Sequence, residues 1–343
     1  MSHPSTTGDP VADTDAWFEA QGLTYFVPEK RVSVRSAMRP RRLAPLLVLT
    51  ALVAGGAVTV LALVDEGSLI PAVLWTLVGA AATWYALIAL EARSIVTWAL
   101  ARTFGSLWTL LPMMTRALPM LLVFVTFLFI NAEVWEVASY LDTGELWLVA
   151  LLFGTMAGAF LLVRLPEEVD RTDDDVDEAL LLQSTAGTPL EHVARELVDD
   201  PDADPASYAE VGGYERCNLI LVLVVIQATQ VLLLAVTVFA FFMVFGSLIV
   251  QPEIVKTWTG GAPDSIPFRQ DIRYLDNISA ELVKVSVFLA AFSSLYLTVS
   301  TVTDETYREQ FFGSVLHEME RAVGVRAVYL ALRDRRPVPP EDD

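Results

Sequence analysis

Asn218-LILVLVVIQATQVLLLAVTVFAFFMVFGSLI-Val250 runs for 33 residues without a charged side chain. As a helix it would be ~50 Å long, against a bilayer hydrocarbon core of ~30 Å. That is too long for one span and too short for two spans plus a turn. We read one long helix whose inner end leaves the membrane and packs on protein.

Working outward, further apolar runs lie at 45–64, 69–90, 117–137, 145–165 and 278–302. Six spans result, and the fold class is an all-α polytopic transmembrane bundle with amphipathic helices on its cytoplasmic side. The first two runs are joined by only Asp65–Ser68, so they pack as an antiparallel hairpin. Between spans two and three, Trp98, Ala101, Phe104 and Trp108 share one helical face, with Arg93 and Arg102 interrupting. We read an interfacial helix near 94–114. A span starting earlier than Ala117 would bury Arg116 mid-bilayer, at ~2.5–3.5 kcal/mol on insertion scales. The chain then divides into an N-tail at 1–44, spans one to four at 45–165, an acidic loop at 166–217, spans five and six at 218–302 around an outer loop at 251–278, and a C-terminal helix and tail at 303–343.

Composition agrees with this division. Apolar residues make up 54% of the chain, and the mean hydropathy is +0.49. Of the 23 Lys and Arg, all but Lys256, Arg269, Arg273 and the intramembrane Lys284 fall in the N-tail, 91–116, 164–217 or the C-terminal segment. By the positive-inside rule both termini lie in the cytoplasm, which requires an even number of spans. The 1–40 region is polar, so no signal peptide is read there. A net charge of −19 argues against a nucleic-acid partner. One cysteine, Cys217, excludes an intrachain disulfide and a Cys-based metal site.

Pro119-MLLVFVTFLFINAEVWEVAS-Tyr140 and Asp304-ETYREQFFGSVLHEMERAVGVRAVYLAL-Arg333 resemble segments of multi-spanning membrane proteins from actinobacteria. The resemblance implies a bacterial plasma-membrane location and brings no activity with it. The excess of Arg over Lys in an Ala/Leu/Val-rich chain also points to a bacterial source.

Candidate sites are few. Gln227, Gln230 and Thr237 of span five fall within about 80° at 100° per residue and form a polar stripe that should face other helices, near Ser293 and Ser294. Glu281 and Lys284 read as an interfacial pair with a snorkelling lysine. Gly154 and Gly158 form a GxxxG suited to close helix packing. In the acidic loop, Asp173, Asp175 and Asp177 match the first ligand positions of a calcium loop. Glu178 stands where that loop needs glycine and Ser184 where it needs glutamate, so no tight calcium site is expected. Thr188-Pro-Leu-Glu191 reads as a capping box opening a short amphipathic helix. Neither a catalytic motif nor a cofactor or metal site is legible. The leading reading is a membrane-embedded interaction or regulatory protein, its partners being the bilayer and either a second copy or another protein on the cytoplasmic helices. The alternative is a channel or transporter for an ion or small solute along the span-five stripe.

Overall fold

Within lipid a backbone amide has no water to bond, so an apolar chain closes its hydrogen bonds inside helices. A computed structural model describes residues 9–37, 40–64, 67–89, 92–105, 121–174, 176–261, 278–303 and 305–335, and among them there is no strand. The helices are α1 (Pro10–Ala20), α2 (Pro28–Ala37), α3 (Pro40–Leu63), α4 (Ile70–Ala89), α5 (Ala92–Gly105), α6 (Leu121–Phe129), α7 (Ala132–Tyr140), α8 (Thr143–Asp174), α9 (Glu178–Thr185), α10 (Glu191–Asp199), α11 (Gly213–Ile249), α12 (Pro252–Thr259), α13 (Ala280–Thr303) and α14 (Glu305–Asp334).

Three of them, α8, α11 and α13, are long and apolar enough to cross a membrane, and a fourth span results if α6 and α7 count as one. α3 and α4 contain shorter apolar stretches, Leu47–Leu63 and Ile70–Tyr85. Large apolar side chains such as Leu52, Trp75, Trp84, Val163 and Val236 stand exposed along these helices. Such a surface is consistent with lipid as its solvent.

α13 packs beside α8 and α11. Gly246 of α11 lies so close to α13 that an added Cβ would overlap Leu282 and come within 3.1 Å of Phe129. The antiparallel pair α11–α13 then places Gln230 at the level of Thr298, about one turn from Ser294. Along α11 the buried positions run Leu234, Val238, Phe242, Gly246. A step of four residues advances the ridge by 40° per turn. Thr237 falls off that ridge and is exposed, bonding back to Leu233 O at 2.8 Å. The three-residue stripe is therefore reduced to Gln227 and Gln230.

The third apolar run is not one straight helix. α6 and α7 meet at 69°. Asn131 caps α7 by accepting from Glu133 N at 2.9 Å, and Trp135 Nε1 donates to Phe129 O at 2.6 Å. These bonds satisfy backbone groups released by the break. Phe129 stacks on Phe242 with centroids 4.7 Å apart. Its neighbour Gly246 is one turn from the end of α11, so the break lies at the end of the apolar layer rather than at its middle. α7 packs on α12, where Trp135 meets Trp258.

The opposite end is covered by a polar cap. α1, the turn Thr24–Phe26, α9, α10 and the turn Pro205–Tyr208 gather around the second half of α14 and the first turns of α11. Residues 322–329 are buried without interruption, so this stretch of α14 is a central helix and not the amphipathic one its charges imply. Gly324 permits it: an added Cβ would lie 2.5 Å from Ser184 Oγ.

α5 also departs from expectation. It buries Ala92, Ile95, Ala99 and Thr103, while Ala101 and Phe104 are exposed. Its principal neighbour is α11, which selects a different face from the one lipid would. The remainder of the 94–114 segment, Arg116 and the start of span three lie outside the described residues. The helix of the fourth apolar run continues through Pro166 to Asp174, so the acidic loop begins as helix. Thr188 Oγ1 accepts from Leu190 N at 3.3 Å and Glu191 Oε2 from Gly187 N at 2.9 Å. The capping box thus closes one residue early, because its usual donors are already engaged: Thr188 N with Thr185 O and Glu191 N with Thr188 O.

Candidate functional site

The junction between cap and apolar layer concentrates the buried polar groups. α11 begins beyond Gly212, and its first turn carries Glu215, 4% exposed. An ionised carboxylate at that depth requires partners. Arg326 of α14 supplies two bonds to Glu215 Oε2, from Nε at 2.7 Å and from Nη2 at 2.6 Å. Its Nη1 donates to Tyr208 O at 2.6 Å and Glu210 O at 3.0 Å. Arg31 of α2 approaches Glu215 Oε1 at 3.1 Å. One carboxylate thereby joins the N-tail, the end of the acidic segment and the C-terminal helix.

Asn218, one turn on, is fully buried. Its Oδ1 accepts from Tyr25 N at 2.9 Å and its Nδ2 donates to Gly22 O at 3.0 Å. This side chain replaces the backbone partners that the turn at 22–25 lacks. Further out, Tyr329 OH donates to Asp15 Oδ1 at 2.6 Å. Burial, then this hydrogen bond, pushes the Tyr329 phenol up to about 12, and burial holds the Asp15 carboxyl above its usual range.

The acidic segment is stitched into this unit as well. Arg164 meets Glu168 at 3.0 Å, Arg216 meets Asp170 at 2.7 Å and Arg335 meets Asp200 at 2.8 Å. Asp177 caps α9, accepting from Leu180 N at 2.7 Å. A solvated, self-repelling linker would look otherwise. Among the described residues no cluster of three or more acids, His or Cys could hold a metal. The side chains of Asp173 and Asp175 lie outside that description.

Of the residues singled out by sequence, Gln227 and Gln230 are 1% and 7% exposed. Gln227 Nε2 and Gln230 Oε1 have no hydrogen-bond partner among the described residues. Lys284 sits at the far end of the layer, donating to Leu141 O at 2.7 Å and Ser139 O at 3.2 Å. It caps the C-terminus of α7, where a cation meets unpaired carbonyls and the negative end of the helix dipole. Glu281, one turn away, is 8% exposed. Among the described residues, Gly154 and Gly158 meet nothing within 4 Å of an added Cβ. The close glycine contacts among the described residues are at Gly22, Gly246 and Gly324 instead.

Three cavities are described. One of about 70 Å³ lies under the cap between Trp17, Trp98, Leu219 and Met319. One of about 210 Å³ lies beside the α6–α7 break, against Asn131, Val134 and Phe288. One of about 520 Å³ lies between Glu19, Lys30 and Arg93. None of the three is lined by Gln227 or Gln230.

Glu215, Arg326 and Asn218 were not singled out by sequence. The available signal was Ala322-VGVRAVYLA-Leu332, an apolar stretch with one arginine inside it. A lone charge on an otherwise buried helix calls for a buried counter-charge.

The fold and junction define an all-helical protein with apolar, membrane-type helices, closed at one end by a folded polar cap. No match to this chain is found among family models, curated proteins or solved structures.

Proposed function

We propose that this is a membrane-embedded interaction or regulatory protein with six spans, α3 and α4 forming the first two, and with the cap in the cytoplasm of a bacterial cell. The observation that carries the reading is the Glu215–Arg326–Arg31 junction. It commits three separate segments to one folded unit on the base of α11 and offers a rigid face to partners. The position of the α6–α7 break supports it, since transporters interrupt their helices at the midplane, where substrate binds.

A second reading, a channel or carrier, is favoured by one observation: the Gln227 and Gln230 amides are buried with atoms unbonded, and water or a solute would satisfy them. Flux decides between the two. Proteoliposomes of the purified chain should be as tight to monovalent ions and small neutral solutes as protein-free liposomes. A solute-selective leak that Gln230→Leu abolishes would overturn the first reading and establish the second.

A further inference from the structure

The largest of the three cavities has chemistry that the function above does not use. Its wall on one side is the N-terminal cap, through Glu19, Thr24 and Lys30. On the other side stand Arg93 and Thr97 of α5, and above them Leu87 in the last turn of α4. Thr24 Oγ1 and Ser94 Oγ lie 2.6 Å apart and tie the two walls together. Arg93 is exposed, and no partner among the described residues holds its guanidinium. Glu19 is engaged by Lys30 at 3.6 Å, so the three charged side chains leave the groove net positive in a chain of net charge −19.

The groove is also amphiphilic along one direction. Trp84 stands one turn before Leu87 on α4 and is 65% exposed. Residues three apart on a helix share a face, so the apolar surface at Trp84 leads directly down to Leu87 and the groove. Tryptophan is favoured at the headgroup level, where one end of the ring is apolar and the other wet. An acyl chain beside Trp84 would present its headgroup to Arg93. The flanking sequence adds to this: between residues 28 and 42 stand Lys30, Arg31, Arg35, Arg39, Arg41 and Arg42 against one acid, Glu29. Basic clusters immediately beside a span attract the anionic lipids of the cytoplasmic leaflet.

We propose that the groove between the N-terminal cap and α5 binds the phosphate headgroup of an anionic phospholipid, whose acyl chains lie along α4 at Trp84. The proposal rests on the membrane reading and on the cap facing the cytoplasm. Anionic lipid in that leaflet would steady the cap against the apolar layer at the point where α4 passes into α5.

The test uses the full chain in vesicles of phosphatidylcholine alone and of phosphatidylcholine with phosphatidylglycerol at about four to one. Flotation with the phosphatidylcholine vesicles tests the membrane reading by itself, and failure to float would break that reading. Lipid retained after mild-detergent extraction is then read by mass spectrometry of the intact complex. The wild-type chain should retain phosphatidylglycerol over phosphatidylcholine by roughly fivefold or more, the factor that one cation near a charged surface supplies. Arg93→Gln should remove most of that preference, and Lys30→Gln part of it. Arg195→Gln makes the same charge change on the exposed face of α10 and should leave the preference as it is. Equal retention of both lipids, or an unchanged preference in Arg93→Gln with flotation intact, would overturn the proposal. Displacement of the lipid by millimolar inorganic phosphate would also overturn it, assigning the groove to a free anion.

Discussion

The apolar layer and the cap are held together by different physics. In the layer, α6, α8, α11 and α13 meet through aromatic contacts such as Phe153 with Phe288 and Phe129 with Phe242, and through the close approach at Gly246. Polar groups there are few, and Ser293, Ser294 and Thr298 of α13 bond to their own helix, as Ser293 does to Leu289 O and Thr298 to Ser294 O. In the cap, segments far apart in sequence meet through charge-assisted bonds, as at Arg326 with Glu215 and Arg321 with Ser184 O. Lipid offers no hydrophobic drive between helices, so shape must supply the contact. Water beside the cap makes an ion pair tolerable at the surface, and only a fully partnered one tolerable inside. The difference teaches that one point change has different consequences on the two sides of Asn218.

The largest effect is expected in the cap. Arg326→Leu removes the bidentate partner of a carboxylate that is 4% exposed and should destabilise the chain by about 3–5 kcal/mol. Unfolding in detergent, followed by protease cleavage of the N-tail, measures it. A loss no larger than that of Arg195→Ala would show that the junction does not hold the cap together.

In the layer, steric contact replaces charge. Gly246→Ala should cost about 1–3 kcal/mol through overlap with Leu282 and Phe129. Gly154→Ala, facing open space, should leave thermal stability within about 0.5 kcal/mol of wild type. If the second substitution proves as costly as the first, the GxxxG packs against something beyond this chain.

The smallest effect sharpens the comparison by pH. The Tyr329 phenol is raised from 10.0 to about 12. A group with a raised folded-state value contributes stability in full below its unfolded value, and loses it as pH climbs through the folded one. Stability should therefore decline between pH 10 and about 12, and Tyr329→Phe should flatten that decline. An identical slope in the variant would place the titration elsewhere.

How much of this was legible in the sequence follows the same division. The length of α11 and its emergence from the apolar layer could be read because both depend on one contiguous run. The outward face of Gly154 could not, because it depends on which helix happens to be adjacent. Gln227 and Gln230 were found because they are polar in an apolar run. Thr237 shares the angular sector of Gln230 but stands exposed, because the buried ridge, advancing by four residues, has turned away from that sector by its level. Glu215 and Arg326 are 111 residues apart, and single-residue patterns carry no information about such a pairing. The break at Asn131 had a local signal in hindsight: Asn131 precedes Ala132-Glu133, a cap residue followed by an acid in the first turn. The surrounding hydrophobicity obscured it.

The central claim is that the bundle encloses no aqueous path at Gln227 and Gln230. In a Cys217→Ser background, single cysteines at these two positions are exposed to a membrane-impermeant thiol reagent in intact cells. The account predicts no labelling at either position until the membrane is dissolved and the protein unfolded, with a cysteine at Lys256 in α12, outside the cell on the proposed topology, labelling at once. Rapid labelling of both positions in intact cells would contradict it and make the protein a pore or a carrier.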